Sequence, residues 1–187
     1  MSDKTLPWQT HSVETVYDNN WITVSHREVT APTGNAAIYG LVHFKSVAVG
    51  MIPIDAEGYT WLVGQQRYTL DSYSWEIPEG GSAADEDPLL AAQRELQEET
   101  GITAANWAPL LRLHTSNSVT DESAIAYIAQ GLTIGETQPD DTELIQLKHL
   151  PVQQAIEMVM DGEITDGLAM ASLLKLQLLL QRGVINI

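Results

Sequence analysis

Residues 80–102 read GGSAADEDPLLAAQRELQEETGI, and the fold of the chain follows from this stretch. Asp87 before Pro88 supplies an N-cap and a first helical residue, and Gly101 supplies a left-handed stop, so a helix of about a dozen residues is predicted between them. Leu89, Ala92 and Leu96 form its apolar stripe. Beside the stripe, Glu95, Glu98 and Glu99 stand at i, i+3 and i+4 on one arc of the surface. Like charges at that spacing cost roughly a few tenths of a kcal/mol per pair, and acids near a helix C-terminus oppose its dipole. A cation would relieve both penalties. Magnesium and calcium take hard oxygen ligands, and magnesium combines a few carboxylates with waters and substrate phosphate oxygens. Arg94, four residues before Glu98, can orient a carboxylate. Spacing alone also leaves open a solvated acidic face with one surface ion pair.

Outward from this helix the pattern is mostly extended. Residues 21–30 alternate at period two, 32–35 read as a turn, and 36–44 return as a second strand. The run SVAVGMIPI at 46–54 is almost wholly apolar and ends in the hairpin signal Asp55, Ala56, Glu57, Gly58 before a strand at 59–66. Further strands are predicted at 110–114, 124–129 and 144–147, and helices at 151–160 and 168–181, split by a polar break at 161–167. A mixed sheet covered by helices, an α/β fold, accounts for this order.

The 187 residues carry 25 acids against nine Lys plus Arg, a formal charge of -16, which repels nucleic acid and anionic membranes. The same field repels a phosphorylated small molecule unless a cation bridges it to the protein. The chain has no Cys, so thiolate chemistry, disulfides and cysteine zinc sites are excluded. No apolar run approaches the roughly 20 residues of a membrane span, and the start, MSDKTLPWQTHSVE, lacks the apolar core of a signal peptide. A cytoplasmic protein is the expectation. The five histidines, His11, His26, His43, His114 and His149, show no metal-ligand spacing and read as structural.

Nine positions at fixed spacing, Gly80, Glu86, Arg94, Glu95, Leu96, Glu98, Glu99, Gly101 and Ile102, match the signature box of one family. In them the chain resembles a Nudix hydrolase. The resemblance implies an α/β/α sandwich with a mixed β-sheet, here with an N-terminal β-hairpin extension: residues 1–44 would make substrate and dimer contacts and 45–187 would form the hydrolase domain. It also implies roles. Glu95, Glu98, Glu99 and the backbone carbonyl of Glu79 would hold Mg2+, with Mn2+ as a substitute, and Arg94 with Glu86 would be an orienting pair. The general base would come from a loop beyond the box. There Glu122 is chosen over Asp121, both of which can instead merely polarise a turn, and some family members use a box glutamate as base. Arg94, Glu98 and Glu122 form the expected catalytic set.

The preceding stretch, GQQRYTLDSYSWEIPEGG at 64–81, resembles the segment before the box in ADP-ribose and other nucleotide-sugar pyrophosphatases, with Gln, Arg and Tyr in a different order and Glu79 where Ala is frequent. Arg67 and Glu76 are the substrate-binding candidates it supplies; a surface ion pair is the alternative for Arg67. Tyr17, Trp21 and Tyr39 could stack on a base, or pack in a core or interface. The stretch DGEITDGLAMA at 161–171 extends the resemblance toward the C-terminus. The implied reaction is magnesium-dependent cleavage of a nucleoside diphosphate sugar of the ADP-ribose, ADP-glucose or GDP-mannose type by a homodimer, giving a nucleoside monophosphate and a sugar phosphate. Alternatives are a dinucleoside polyphosphate or nucleoside triphosphate as substrate, or a sensor that binds without cleaving.

Overall fold

The computed structural model describes residues 7–137 and 144–185. They fall into two compact units, residues 7–46 with His114–Glu122, and Val47–Leu113 with residues 123–137 and 144–185. In the first unit, β1 (Gln9–Asp18), β2 (Ile22–Thr30) and β3 (Ala36–Phe44) form an antiparallel sheet in chain order. The expected hairpin is present as β2 and β3, and β1 adds a strand to it. Asn19 turns the chain between β1 and β2, its Oδ1 accepting from the amides of Trp21 at 2.9 Å and Ile22 at 2.8 Å. The segment 114–122 lies along β3 through Val42 N to Val119 O, 2.9 Å, and Asp121 N to Val42 O, 3.3 Å.

The second unit holds β4 (Ser46–Ile54), β5 (Tyr59–Arg67), β6 (Ser72–Glu76), β7 (Glu79–Ala83), α1 (Pro88–Thr100), β8 (Ile102–His114), β9 (Ser123–Ile134), β10 (Gln146–Pro151), α2 (Val152–Met160) and α3 (Gly167–Gln181). Its sheet runs β10-β5-β4-β9-β8, with β6 on β5 and β7 on β4. β4 and β9 pair in parallel, while β5 is antiparallel to β4, β6 and β10, so the sheet is mixed. Side chains alternate between two cores. Val49 and Met51 of β4 and Ile125 and Tyr127 of β9 meet Ala91, Ala92 and Leu96 of α1. Ile52, Ile54, Ala126 and Ile128 meet Ala155, Ile156, Leu173 and Leu176 of α2 and α3. Both faces are therefore buried, which is why residues 47–54 are apolar in succession rather than at every second position. The α/β/α sandwich is the one expected.

Strand β10 starts two residues later than predicted and runs on to Pro151. Leu144 is exposed and Leu150 is the core residue, so the apolar residue that defines the strand lies at its far end. Helix α1 begins and ends as its sequence dictates. Asp87 caps the Leu89 amide at 2.8 Å, and Gly101 has φ 71°. A Cβ at Gly101 would also lie 2.6 Å from the carbonyl oxygen of Gly135. Gly101→Ala should therefore lower stability by more than the roughly 1 kcal/mol of a strained left-handed residue. Thermal unfolding would measure this, and an unchanged midpoint would refute it.

Candidate functional site

Three devices bring the acidic residues of α1 together with the segment before it. The carbonyl of Pro78 accepts from Met51 N at 2.9 Å, which ties the segment to β4. The Glu79 amide donates to Glu99 Oε2 at 3.0 Å, which ties it to the end of α1. Gly80 lies against the Glu95 carboxyl so closely that a Cβ there would collide with it. Glycine at this position thus serves close approach. The backbone of residues 79–80 and the carboxylates of Glu95 and Glu99 form one wall.

Arg94 organises the other side. Its Nε and Nη2 donate to Glu86 at 3.3 and 3.2 Å, its Nη1 donates to Glu95 at 2.8 Å and Glu98 at 3.0 Å, and Nη2 also reaches the carbonyl of Gly81 at 3.1 Å. The bonds from Arg94 hold the Glu86 carboxyl below the usual carboxylate range. Burial pushes the Glu95 carboxyl up, against its bond to the same guanidinium. Glu98 is half-exposed, but Glu99 is only 5% exposed, so the three glutamates are not one solvated arc. The helix turns Glu99 inward beside Leu96.

Among the described residues, no group of three or more His, Asp or Glu side chains is arranged to hold a metal ion as it stands. Arg94 bridges Glu95 and Glu98, and Glu99 faces the Glu79 amide. The donor chemistry nevertheless fits a hard divalent cation. Every available atom is oxygen, and Glu95 is a part-buried carboxyl whose burial outweighs its one cationic partner. A cation here would exchange with the Arg94 bonds to Glu95 and Glu98 rather than enter a finished cage.

A second arrangement adjoins Glu79. The register of β5 and β6 sets Arg67 opposite Ser72 and Val63 opposite Glu76, which puts Arg67 and Glu76 on one face. Arg67 Nε donates to both Glu76 oxygens at 2.9 and 3.2 Å, Nη2 also donates to Glu76, and Nη2 reaches Glu79 Oε1 at 2.8 Å. Glu76 is 2% exposed. Burial, together with the charges of Asp166 and Glu76, pushes the Glu79 carboxyl well above its usual range against the pull of Arg67. These residues line a cavity of about 360 Å³ with Ser74, Thr165 and Asp166. Arg67 is the only cation of that lining, and two carboxylates already neutralise it.

The side chains of Glu79 and Asp166 are not among the site residues expected from the sequence. Asp166 was legible as a helix cap, since Oδ1 accepts from Ala169 N at 2.7 Å, but nothing local connects it to Arg67. In the first unit, Tyr17 and Trp21 are exposed. Tyr39 donates to the Ser118 carbonyl at 2.6 Å and meets Trp8 edge-on at 5.5 Å. Tyr39 and Trp8 line a cavity of about 200 Å³ that also holds Arg27, and neither Trp8 nor Arg27 had been singled out. Glu122 accepts from the Thr115 hydroxyl. Asp121 is taken up by His43 Nδ1 at 2.6 Å and Phe44 N at 3.0 Å. Of the two loop acids, Glu122 is the less encumbered.

Residues 44–170 match the NUDIX domain family, and residues 8–42 match the family described as the nucleoside diphosphate sugar hydrolase N-terminal domain. An ADP-ribose pyrophosphatase of Mycobacterium tuberculosis is 33% identical over 171 residues, covering 89% of this chain and 82% of that protein. An ADP-ribose pyrophosphatase of Bacillus subtilis is 28% identical, covering 94% and 95%. A solved structure described as an ADP compounds hydrolase superposes with a TM-score of 0.86 over 98% of this chain and 100% of that one, at 22% identity.

Proposed function

Because the chain belongs to the Nudix hydrolase family, we propose that it hydrolyses the diphosphate linkage of a nucleoside diphosphate sugar, giving a nucleoside monophosphate and a sugar phosphate. The observation that carries the substrate class is the match of residues 8–42 to a nucleoside diphosphate sugar hydrolase segment, joined to a complete box at 80–102. Full-length relatives named ADP-ribose pyrophosphatase support the same reading.

Glu95, Glu98, Glu99 and the Glu79 carbonyl would hold magnesium, or manganese in its place. Bound there, the ion would neutralise diphosphate oxygens and acidify a water. Arg94 and Glu86 hold the box glutamates in orientation. Glu122 accepts a proton as general base, and residues 1–44 supply nucleobase and dimer contacts, Tyr17, Trp21 and Tyr39 among them, to a hydrolase domain of residues 45–187. A cytoplasmic homodimer is part of the same proposal.

Product analysis with ADP-ribose, ADP-glucose, GDP-mannose, diadenosine polyphosphates and nucleoside triphosphates, with magnesium and with EDTA, tests the reading. Magnesium-dependent nucleoside monophosphate from the sugar nucleotides is expected; cleavage of triphosphates alone would overturn the substrate class. Glu122→Gln should lower kcat by about 10²- to 10⁴-fold, the usual contribution of a positioned base. Full activity in that variant would move the base to a box glutamate.

A further inference from the structure

Glu122 sits on a turn that hangs from β3. The turn closes through the Ser116 carbonyl, which accepts from Val119 N at 3.2 Å and Thr120 N at 3.0 Å. β3 then holds it: Val42 N donates to the Val119 carbonyl at 2.9 Å, Asp121 N donates to the Val42 carbonyl at 3.3 Å, and the Tyr39 hydroxyl donates to the Ser118 carbonyl at 2.6 Å. The two adjacent acids face different ways. Glu122 faces its own turn, where Oε2 accepts from the Thr115 hydroxyl and the carbonyl accepts from Thr115 N at 3.4 Å. Asp121 faces β3, where Oδ1 accepts from Phe44 N at 3.0 Å and Oδ2 accepts from His43 Nδ1 at 2.6 Å. Desolvation opposes the charge of Asp121, yet the bonds from His43 and the Phe44 amide hold its carboxyl below the usual carboxylate range, so it meets both donors as an anion.

The His43–Asp121 contact does little for global stability, since the two side chains are 54% and 42% exposed. Its effect is local. Consecutive residues of β3 fix Asp121 by two bonds, and the next residue in the chain is Glu122. We propose that Asp121 is a positioning residue for the reaction: by accepting from His43 and the Phe44 amide it clasps the turn to β3 and holds the main chain of Glu122 in place. The proposal rests on the reading of Glu122 as general base. A base works only within hydrogen-bond reach of the proton it removes, so a small displacement of it lowers rate more than binding. His43, which the sequence marks only as structural, is one half of the clasp.

The test combines steady-state hydrolysis of ADP-ribose in magnesium with hydrogen exchange of the full-length metal-free protein. Asp121→Ala should lower kcat about 10- to 100-fold and leave KM within about threefold. The Val42 amide, which is bonded to the Val119 carbonyl and not to the Asp121 side chain, should exchange about tenfold faster or more in that variant. Asp121→Asn keeps an oxygen for the Phe44 amide and can donate to a neutral His43 ring, so its kcat should return to within about threefold of wild type. In a Glu122→Gln background, Asp121→Ala should change kcat by less than about twofold, because a residue that acts through the base has nothing left to position. An unchanged kcat or unchanged Val42 exchange in Asp121→Ala, a kcat for Asp121→Asn as low as that of Asp121→Ala, or an equal fall in both backgrounds would overturn the proposal. Loss of rate in Glu122→Gln with none in Asp121→Ala would overturn the clasp and leave the base reading standing. Full activity of Glu122→Gln would overturn that reading and the proposal with it.

Discussion

Glu98→Gln should lower magnesium-dependent hydrolysis of a nucleotide sugar by about 10²- to 10⁴-fold while barely moving the thermal midpoint. A metal that loses a carboxylate ligand forfeits part of several kcal/mol of transition-state charge stabilisation, and each ~1.4 kcal/mol is tenfold in rate. The structural loss is small. The Glu98 side chain is 42% exposed, and its bond to Arg94 Nη1 is an i,i+4 surface pair of the kind worth about 0–1 kcal/mol. Glu99→Gln should produce the same kinetic defect with a measurable loss of stability, because Glu99 is buried and accepts the Glu79 amide. Steady-state rates beside thermal unfolding separate the two variants. A near-normal rate in either would remove that residue from the metal site.

Arg67→Ala should destabilise the protein by about 3 kcal/mol. Removing one partner of a buried ion pair costs roughly 3–5 kcal/mol because the other charge stays buried, and the 35% exposure of the Arg67 side chain argues for the lower end. Glu76, with a side chain only 3% exposed, would lose its bonds to both Nε and Nη2, and Glu79 would lose its contact with Nη2. For a chain of this size that corresponds to a fall of roughly 6–12 °C in Tm. Denaturant unfolding of Arg67→Ala, Glu76→Gln and the double variant would show whether unpaired charge is the cause, since the double variant should be less destabilised than the sum of the singles. A loss below about 1 kcal/mol for Arg67→Ala would mean that water reaches Glu76 and solvates it.

What could be read from the sequence follows from which signals are local. Helix α1 was bounded to the residue because Asp87, Pro88 and Gly101 act on their immediate neighbours. Strands β3 and β4 were bounded likewise. Strand β1 escaped notice because all ten of its residues are exposed, and a strand with no buried face leaves no alternation of apolar and polar residues. Strand β7 has five residues, two of them glycines, and produces no periodic signal, whereas β6, SYSWE, alternates polar and aromatic residues but buries the polar Ser74 and Glu76 and exposes Tyr73. The acidic arc on α1 was legible, but the inward turn of Glu99 was not: it depends on the Glu79 segment packing across the helix end. The partners of Arg67 were hidden for a similar reason. Its bond to Glu76 needs the register of β5 and β6, and the nearness of Asp166 needs α3 to cap at the same cavity. Only a long-range arrangement could supply either.

The parallel pairing of β4 with β9 also bears on how the chain reaches its native state. Ala48 pairs with Ala124 and Ile54 with Gln130, so the centre of the sheet joins segments separated by everything from β5 through β8. Closing that distance uses chain entropy before any contact compensates it, whereas β5 and β6 can zip locally. During synthesis β4 emerges first and must wait, apolar on both faces, until β9 has left the ribosome. The interval between those two events is when this protein is most open to aggregation, and when a chaperone would have most to cover.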